Sequence, residues 1–246
     1  MNDAELDRWV DVLRPHLVPT PSTGEGVCHI CRSWKFPEKP VCSNCAQVVA
    51  ELTLPCLKVF PISLYIKPSQ LRDWLKFYKP NSEGFAPSHC DNIAAILALG
   101  VQRNLTAMQN VMGPWDEIAV VPSTFARTSH PLEAQLRNAG LGANLGRPLI
   151  RTNVPLGHRT MSDVGYQTSK EVSGLRILLV DDVYTTGARS QSAASALQLA
   201  GATVVGIVAI GRRINPGYND FSLRLWKEQR AQSFQFGRIF EAHRDA

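Results

Sequence analysis

Two adjacent carboxylates, Asp181 and Asp182, follow four apolar residues, Ile177, Leu178, Leu179 and Val180. A loop of hydroxyl and small residues comes next, and then an alanine-rich helical pattern. This order predicts a buried parallel strand that delivers both acids to a cleft at its carboxyl end. The loop can turn backbone N–H groups, the Thr185 and Thr186 hydroxyls and a helix N-terminus toward an anion. Carboxylates repel phosphate at short range, so their natural partners are vicinal hydroxyls. An acid pair beside an anion loop therefore describes a site for a ribose 5-phosphate. The plainer alternative is a strand–helix crossover whose acidic pair is incidental.

Four of the six cysteines form the pairs Cys28-x2-Cys31 and Cys42-x2-Cys45, ten residues apart. Each pair can sit on a tight knuckle with converging thiolates, and two knuckles make a tetrahedral four-sulfur site. Such a site is closed, so zinc there is structural and activates no water. A redox CxxC and an iron centre are the rivals. Redox use calls for one CxxC near a βαβ pattern, whereas two pairs lie here in a Pro- and Lys-containing segment. Cys56 and Cys90 stand alone and read as small buried hydrophobes.

Apolar periodicity supplies the elements that must position these groups. Leu6, Trp9, Val10, Leu13 and Leu17 give an amphipathic helix over residues 4–17, followed by a Pro- and Ser-containing linker. A strand over 57–66 carries Pro61, which argues for an edge position. A short helix over 70–78 and a long one over 91–111 follow. Strand and helix then alternate: strand 117–121, helix 131–139, a strand at 148–151, and an irregular polar stretch to residue 173. The central strand 175–180, its helix 189–200 with Gly201 just past the end, and strand 203–210 complete the pattern. Alternation implies an α/β fold with a parallel sheet, right-handed crossovers and ligands at the strands' carboxyl ends. The expected organisation is a helix and linker (1–25), a small zinc-ribbon-like module (26–50), an α/β domain (57–215) and a tail (216–246). The tail's Leu223, Trp226, Phe234, Phe236, Ile239 and Phe240 should pack on the domain or on a partner.

Residues 177–190 closely resemble the phosphoribosyl diphosphate (PRPP) motif of type I phosphoribosyltransferases. In that family the two acids contact the ribose 2- and 3-hydroxyls, and the loop holds the 5-phosphate. The resemblance implies a type I phosphoribosyltransferase-like parallel sheet flanked by helices, with Mg2+ bound alongside PRPP. It puts Asp181 and Asp182 on the ribose, and Thr185, Thr186, Gly187, Ala188, Arg189 and Ser190 on the phosphate. Arg189 stands where the family usually has Thr or Ser; a guanidinium can grip phosphate bidentately, and Ser190 can supply the hydroxyl. The diphosphate needs its own cradle, and Val121, Pro122, Ser123, Thr124 and Arg127 offer close backbone approach and donors. A plain strand-to-helix connection is the alternative there. Residues 152–173 read as a lid bearing His158, Arg159, Tyr166, Gln167 and Lys170, with Arg159 as the catalytic cation over the leaving diphosphate. A surface loop is the alternative for that stretch.

A four-cysteine module ahead of such a domain is similar to the ComF-type family, bacterial competence-associated phosphoribosyltransferase-like proteins. Leu75-Lys76-Phe77, Val120-Val121-Pro122 and the segment from Arg159 to Tyr166 resemble that family's strings. Its Arg-Gly-Phe-Asn-Gln string is replaced here by residues 127–133, so the chain reads as a divergent member.

No dinucleotide fingerprint and no P-loop string occurs. The chain has 246 residues, 44% hydrophobic and 19% charged, with a net charge of +5, which suits an anionic substrate as well as nucleic acid. Arg127, Arg137 and Arg147 could form a basic face or be scattered charges. The first residues lack a signal peptide's basic and apolar regions, and the longest apolar run, 93–101, is too short to span a bilayer. A cytoplasmic protein without a membrane partner is expected. The first functional expectation is an enzyme transferring a phosphoribosyl group from PRPP with Mg2+. The second is a non-catalytic module that senses a phosphoribosyl compound while contacting nucleic acid or a competence or recombination protein.

Overall fold

The computed structural model describes residues 3–123 and 130–240. Its strands are β1 (Val59–Tyr65), β2 (Glu117–Val120), β3 (Leu145–Gly146), β4 (Leu149–Arg151), β5 (Tyr166–Thr168), β6 (Arg176–Tyr184) and β7 (Thr203–Arg213). Five of them form one parallel sheet in the order β1-β7-β6-β2-β3. The helices are α1 (Asp3–Leu13), α2 (Ser43–Glu51), α3 (Gln70–Phe77), α4 (Pro87–Gly100), α5 (Leu105–Met112), α6 (Pro131–Asn138), α7 (Ala188–Leu199) and α8 (Asp220–Arg230). The α/β class expected from the alternating pattern is the one observed.

β6 and β7 read as unbroken apolar runs because both sheet faces are covered. On one face Phe60, Leu178, Val180, Val208 and Ile210 pack against Ile93, Ile96 and Leu97 of α4. On the other, Ile177, Leu179, Ile207 and Ala209 pack against Ala193, Ala194 and Leu197 of α7, and this core continues into the four paired cysteines. Pro61 lies in β1, which pairs with β7 alone within the sheet. Phe234, Phe236, Ile239 and Phe240 are buried in the α4 core, and Leu225 of α8 packs with Val18, Leu64 and Ile214.

Three sequence expectations need correction. The helix expected over 4–17 ends at Leu13, and Arg14–His16, with Pro15, forms a 3-10 turn. The single helix expected over 91–111 is two, α4 and α5, separated by a 3-10 turn at Gln102–Asn104. Gly100 lies so close to β1 that a Cβ there would meet Ile62 at 2.9 Å. Asn104 then turns its amide back onto the Leu99 and Gly100 carbonyls, at 2.9 and 3.4 Å, satisfying the helix end. The stretch from 152 to 173 is not irregular throughout, since β5 returns antiparallel to β4. Of the two readings left open for Arg137 and Arg147, their pairing with the buried Glu133 favours separate surface charges over a basic face, and Arg127 lies outside the described residues. Among the described residues no helix is long and apolar enough to cross a membrane.

α7 buries an unusual number of polar groups, and they bind the segments around it. Gln191, fully buried, accepts from the Cys56 N–H at 2.9 Å and donates to the Cys56 carbonyl at 2.8 Å. The segment between α2 and β1 is thereby stitched to the helix. Gln191→Ala leaves both Cys56 groups buried and unpaired, and should cost about 2–4 kcal/mol. Urea unfolding of parent and variant measures it; superimposable curves would contradict the assignment.

Candidate functional site

β2 ends at Val120, opposite Val180, whereas β7 continues beside β6 as far as Arg212, opposite Tyr184. The sheet's carboxyl edge therefore has a step, and Asp181 and Asp182 stand on it with a sheet neighbour on one side only. Strand alternation sends their side chains to opposite faces. Asp181 turns toward α7, where its Oδ2 accepts from the Ser190 hydroxyl at 2.6 Å and its Oδ1 from the Asp182 N–H at 2.9 Å. Asp182 turns toward α3, where its Oδ2 accepts from the Tyr78 hydroxyl at 3.1 Å and pairs with Lys79 Nζ at 2.5 Å.

The two acids are electrostatically unequal. Burial, and then the charge of Asp182, push Asp181 up to about 7. Burial also works against an ionised Asp182, but the Lys79 ammonium and its hydrogen bond outweigh that and hold the carboxyl below its ordinary value. Tyr78 is pushed well above the usual phenol range, first by burial and then by Asp182. Neither Tyr78 nor Lys79 was expected from the sequence. Tyr78 lies 104 residues from its acid, and the only local sign of Lys79 is a cation at a helix end before Pro80.

The loop after β6 depends on Gly187. Its φ is +89°, and a Cβ would fall 2.2 Å from the Tyr184 hydroxyl, so only glycine fits. Intrahelical bonding in α7 starts with the Gln191 N–H on the Gly187 carbonyl. The N–H groups of the first turn, Ala188 to Ser190, are thus left without helical acceptors. The expected hydroxyl donors are partly engaged elsewhere. Thr186 donates to the His158 carbonyl, Ser190 is committed to Asp181, and Thr185 is half-buried with its carbonyl on Arg212. Arg189 is exposed, and among the described residues its guanidinium makes no hydrogen bond or ion pair.

Beside the acids, Val121 is buried with its N–H on the Val180 carbonyl at 3.1 Å, and the Pro122 carbonyl accepts from the Tyr166 hydroxyl at 3.2 Å. Ser123 follows, half-buried. Thr124 and Arg127 lie outside the described residues. The segment expected to be a lid is docked. The Ser162 N–H meets Ser192 at 2.9 Å, Asp163 binds Thr53 and Ser195, and the Arg159 carbonyl accepts from Gln47 at 3.1 Å. Lys170 pairs with Glu117 at the amino end of β2, away from the acids, and Gln167 is exposed. Arg159 is exposed and among the described residues has no contact with Asp181 or Asp182.

The four paired cysteines converge. Their sulfurs all lie within 4.8 Å of one another, Cys31 and Cys42 at 3.6 Å, and all four are buried. A tetrahedral zinc with Zn–S bonds of about 2.3 Å holds its sulfurs about 3.8 Å apart, so the cluster fits a metal. Charge points the same way: a dication on four thiolates leaves two negative charges, and two guanidiniums, Arg32 and Arg212, lie buried next to the cluster. Hydrogen bonds from the other three cysteines, with the Arg212 charge, push Cys31 well down. Arg212 also reaches beyond the cluster. It donates to the Cys31 carbonyl at 3.2 Å and Cys31 Sγ at 3.3 Å, and equally to the carbonyls of Tyr184, at 3.0 Å, and Thr185. The cysteine segment and the loop after β6 therefore share one buried cation.

No protein-family model and no curated protein matches the chain. Among solved structures, the allosteric regulatory enzyme of purine biosynthesis is 18% identical over 57% of this chain and 30% of its own, with a TM-score of 0.33. The UMP synthase of Leishmania donovani is 21% identical over 63% of this chain and 34% of its own, with a TM-score of 0.31. The chain spans about a third of the length of each. Likenesses of this size carry no functional argument, which must come from the site itself.

Two outcomes are expected. Reduced protein purified without chelator holds about one zinc per chain by elemental analysis; protein free of zinc and iron would remove the metal site. For Asp181, the unfolded side chain titrates near 4 and the folded one near 7. Between those values the native state keeps a proton that the unfolded chain has lost, so stability falls as pH rises from about 4 to 7. Asp181→Asn should therefore gain on the parent by about 2–4 kcal/mol at pH 8 and not at pH 4. Parallel pH profiles would contradict the shift.

Proposed function

We propose that the chain binds PRPP together with Mg2+ and transfers its phosphoribosyl group to a nucleophile with loss of diphosphate. The observation that carries this reading is the pairing of two unlike carboxylates with a glycine-turned helix start inside one strand–helix connection. Asp181 and Asp182 accept from the vicinal ribose hydroxyls, which displace Ser190 and Tyr78 as their partners. Lys79 keeps Asp182 ionised for that role. The backbone N–H groups from Thr185 to Ser190 take the 5-phosphate, and the helix dipole of α7 favours the anion. Ser123 and Thr124, with Arg127, donate to the diphosphate, and Val121 and Pro122 only shape the backbone's approach to it, since the Val121 N–H is held by the Val180 carbonyl.

In the reaction the acceptor's lone pair forms a bond to ribose C1 while the C1–oxygen bond breaks, and diphosphate leaves with the electron pair. Mg2+, when bound, neutralises charge on the departing diphosphate. The chain's own contribution is to orient the donor and to hold fixed dipoles where charge develops. The four-cysteine segment ahead of the sheet is what links the chain, in our reading, to ComF-type proteins.

Calorimetry with PRPP and Mg2+ tests the site. The double variant Asp181→Asn, Asp182→Asn should lose about 2–5 kcal/mol of binding; affinity equal to the parent's would overturn the reading. Diphosphate release assayed with a panel of bases tests turnover, and tight binding without release would leave a sensing module.

A further inference from the structure

In the hairpin of β4 and β5, Arg151 stands opposite Tyr166, Ile150 opposite Gln167 and Leu149 opposite Thr168. Opposed residues share a face, and the face alternates along each strand. Leu149 and Tyr166 are buried in one core with Val121 and Leu179, whereas Ile150 and Gln167 are exposed. Arg151 therefore projects with the inward set, toward the domain. One guanidinium nitrogen, Nη2, donates to the Val154 carbonyl at 3.1 Å. The other, Nη1, is closed off from solvent and among the described residues has no hydrogen-bond partner. A charged donor that has lost water and gained no acceptor is costly, and a native fold keeps one for a reason.

The surroundings of Arg151 put it at the site. Its guanidinium lies 5.3 Å from the centre of the Tyr166 ring, and the Tyr166 hydroxyl donates to the Pro122 carbonyl at 3.2 Å. Pro122 follows Val121, whose N–H is held on Val180, the residue just before the two acids. Burial first, and then the charge of Asp181, raise the Tyr166 hydroxyl to about 12, while Arg151 and Arg189 pull the other way. One ring thus stands among Asp181 and two guanidiniums, next to the segment that starts with Pro122 and Ser123. Arg151 is also fixed in place, by that ring, by a carbonyl and by a paired strand. Arg159, the cation expected here from the sequence, is exposed and among the described residues touches neither acid.

We propose that Arg151 binds the diphosphate of the donor, its Nη1 donating to a phosphate oxygen. The assignment rests on the phosphoribosyl reading, which puts the diphosphate on the segment after β2. The 5-phosphate is held elsewhere, on the loop after β6, so Arg151 tells ligands apart by the diphosphate alone. An oxygen that reaches Nη1 must part the atoms that cover it, and the bond it then makes is shielded from water. A guanidinium at a fixed angle matches phosphate oxygens, and such charged bonds are stronger away from water. As the C1–oxygen bond breaks and charge grows on the diphosphate, the same contact strengthens.

The test uses the full chain and three ligands with Mg2+: PRPP, inorganic diphosphate and ribose 5-phosphate. Each is titrated by calorimetry into the parent, Arg151→Met and Arg151→Lys. Arg151→Met should bind PRPP and diphosphate at least tenfold more weakly, and ribose 5-phosphate within twofold of the parent. Arg151→Lys, which keeps the charge without the fork, should lie between the two for PRPP. That selectivity separates a ligand contact from a structural role, which would weaken all three ligands together. PRPP bound equally well by the parent and Arg151→Met overturns the assignment and leaves the phosphoribosyl reading standing. Equal losses on PRPP and ribose 5-phosphate overturn the assignment as well. A parent that takes no PRPP overturns the phosphoribosyl reading and the assignment with it. Where Arg151→Met does not fold, Arg151→Lys carries the comparison, and PRPP affinity equal to the parent's overturns the assignment.

Discussion

A guanidinium that cannot reach water must be held by acceptors on every side, and Arg212 meets that demand by joining two parts of the chain. It sits over the Tyr184 ring, 5.4 Å from its centroid, and divides its donors between Cys31 and the turn after β6. Removing a buried charge partner costs about 3–5 kcal/mol, so neither side can move alone. The four-cysteine cluster needs positive charge nearby to be tolerable in a core. The end of β6 and the loop need donors for the inward-turned carbonyls of Tyr184 and Thr185. One side chain satisfies both requirements, and the geometry of the loop is therefore tied to the state of the cluster.

The stepped edge of the sheet has a corresponding energetic cost. Ending β2 four residues before β6 ends leaves two consecutive acids near the end of β6 with a sheet neighbour on one side only, where burial opposes ionisation. Lys79 relieves one of them and leaves the other protonated until near neutrality. A buried acid that destabilises the fold on its own account is a common form of trade between stability and function. α7 shows the same economy: Gln191, Ser192 and Ser195 are buried polar groups that hold the flanking segments in place of a purely apolar interface.

How much of this was legible from the sequence depends on the range of the forces involved. β6, α7 and β7 were readable because four-residue apolar runs, a glycine-turned loop and an alanine-rich helix are local patterns with local causes. The cysteine spacing was readable because two knuckles have one simple way to converge. Pro61 marked the edge strand because it has no N–H for a ladder. The break between α4 and α5 was not readable, because it comes from the approach of Ile62 to Gly100 and from an Asn104 amide that also donates to the Phe236 carbonyl at 3.1 Å. β5 is three residues long and takes its identity only from pairing with β4.

The sequence by itself determined which residue types could do chemistry, two acids, a small-residue loop and four thiols, since those follow from covalent structure and spacing. Tertiary structure alone decided their partners. It set Lys79 and Tyr78 against Asp182, committed Ser190 to Asp181, turned Arg189 to solvent, paired Lys170 with a distant glutamate, and placed Arg212 between cluster and loop. Hydrogen bonds and ion pairs act over a few ångströms in space and are indifferent to separation along the chain. Spacing could therefore name the groups, and only the fold could assign the contacts that tune them.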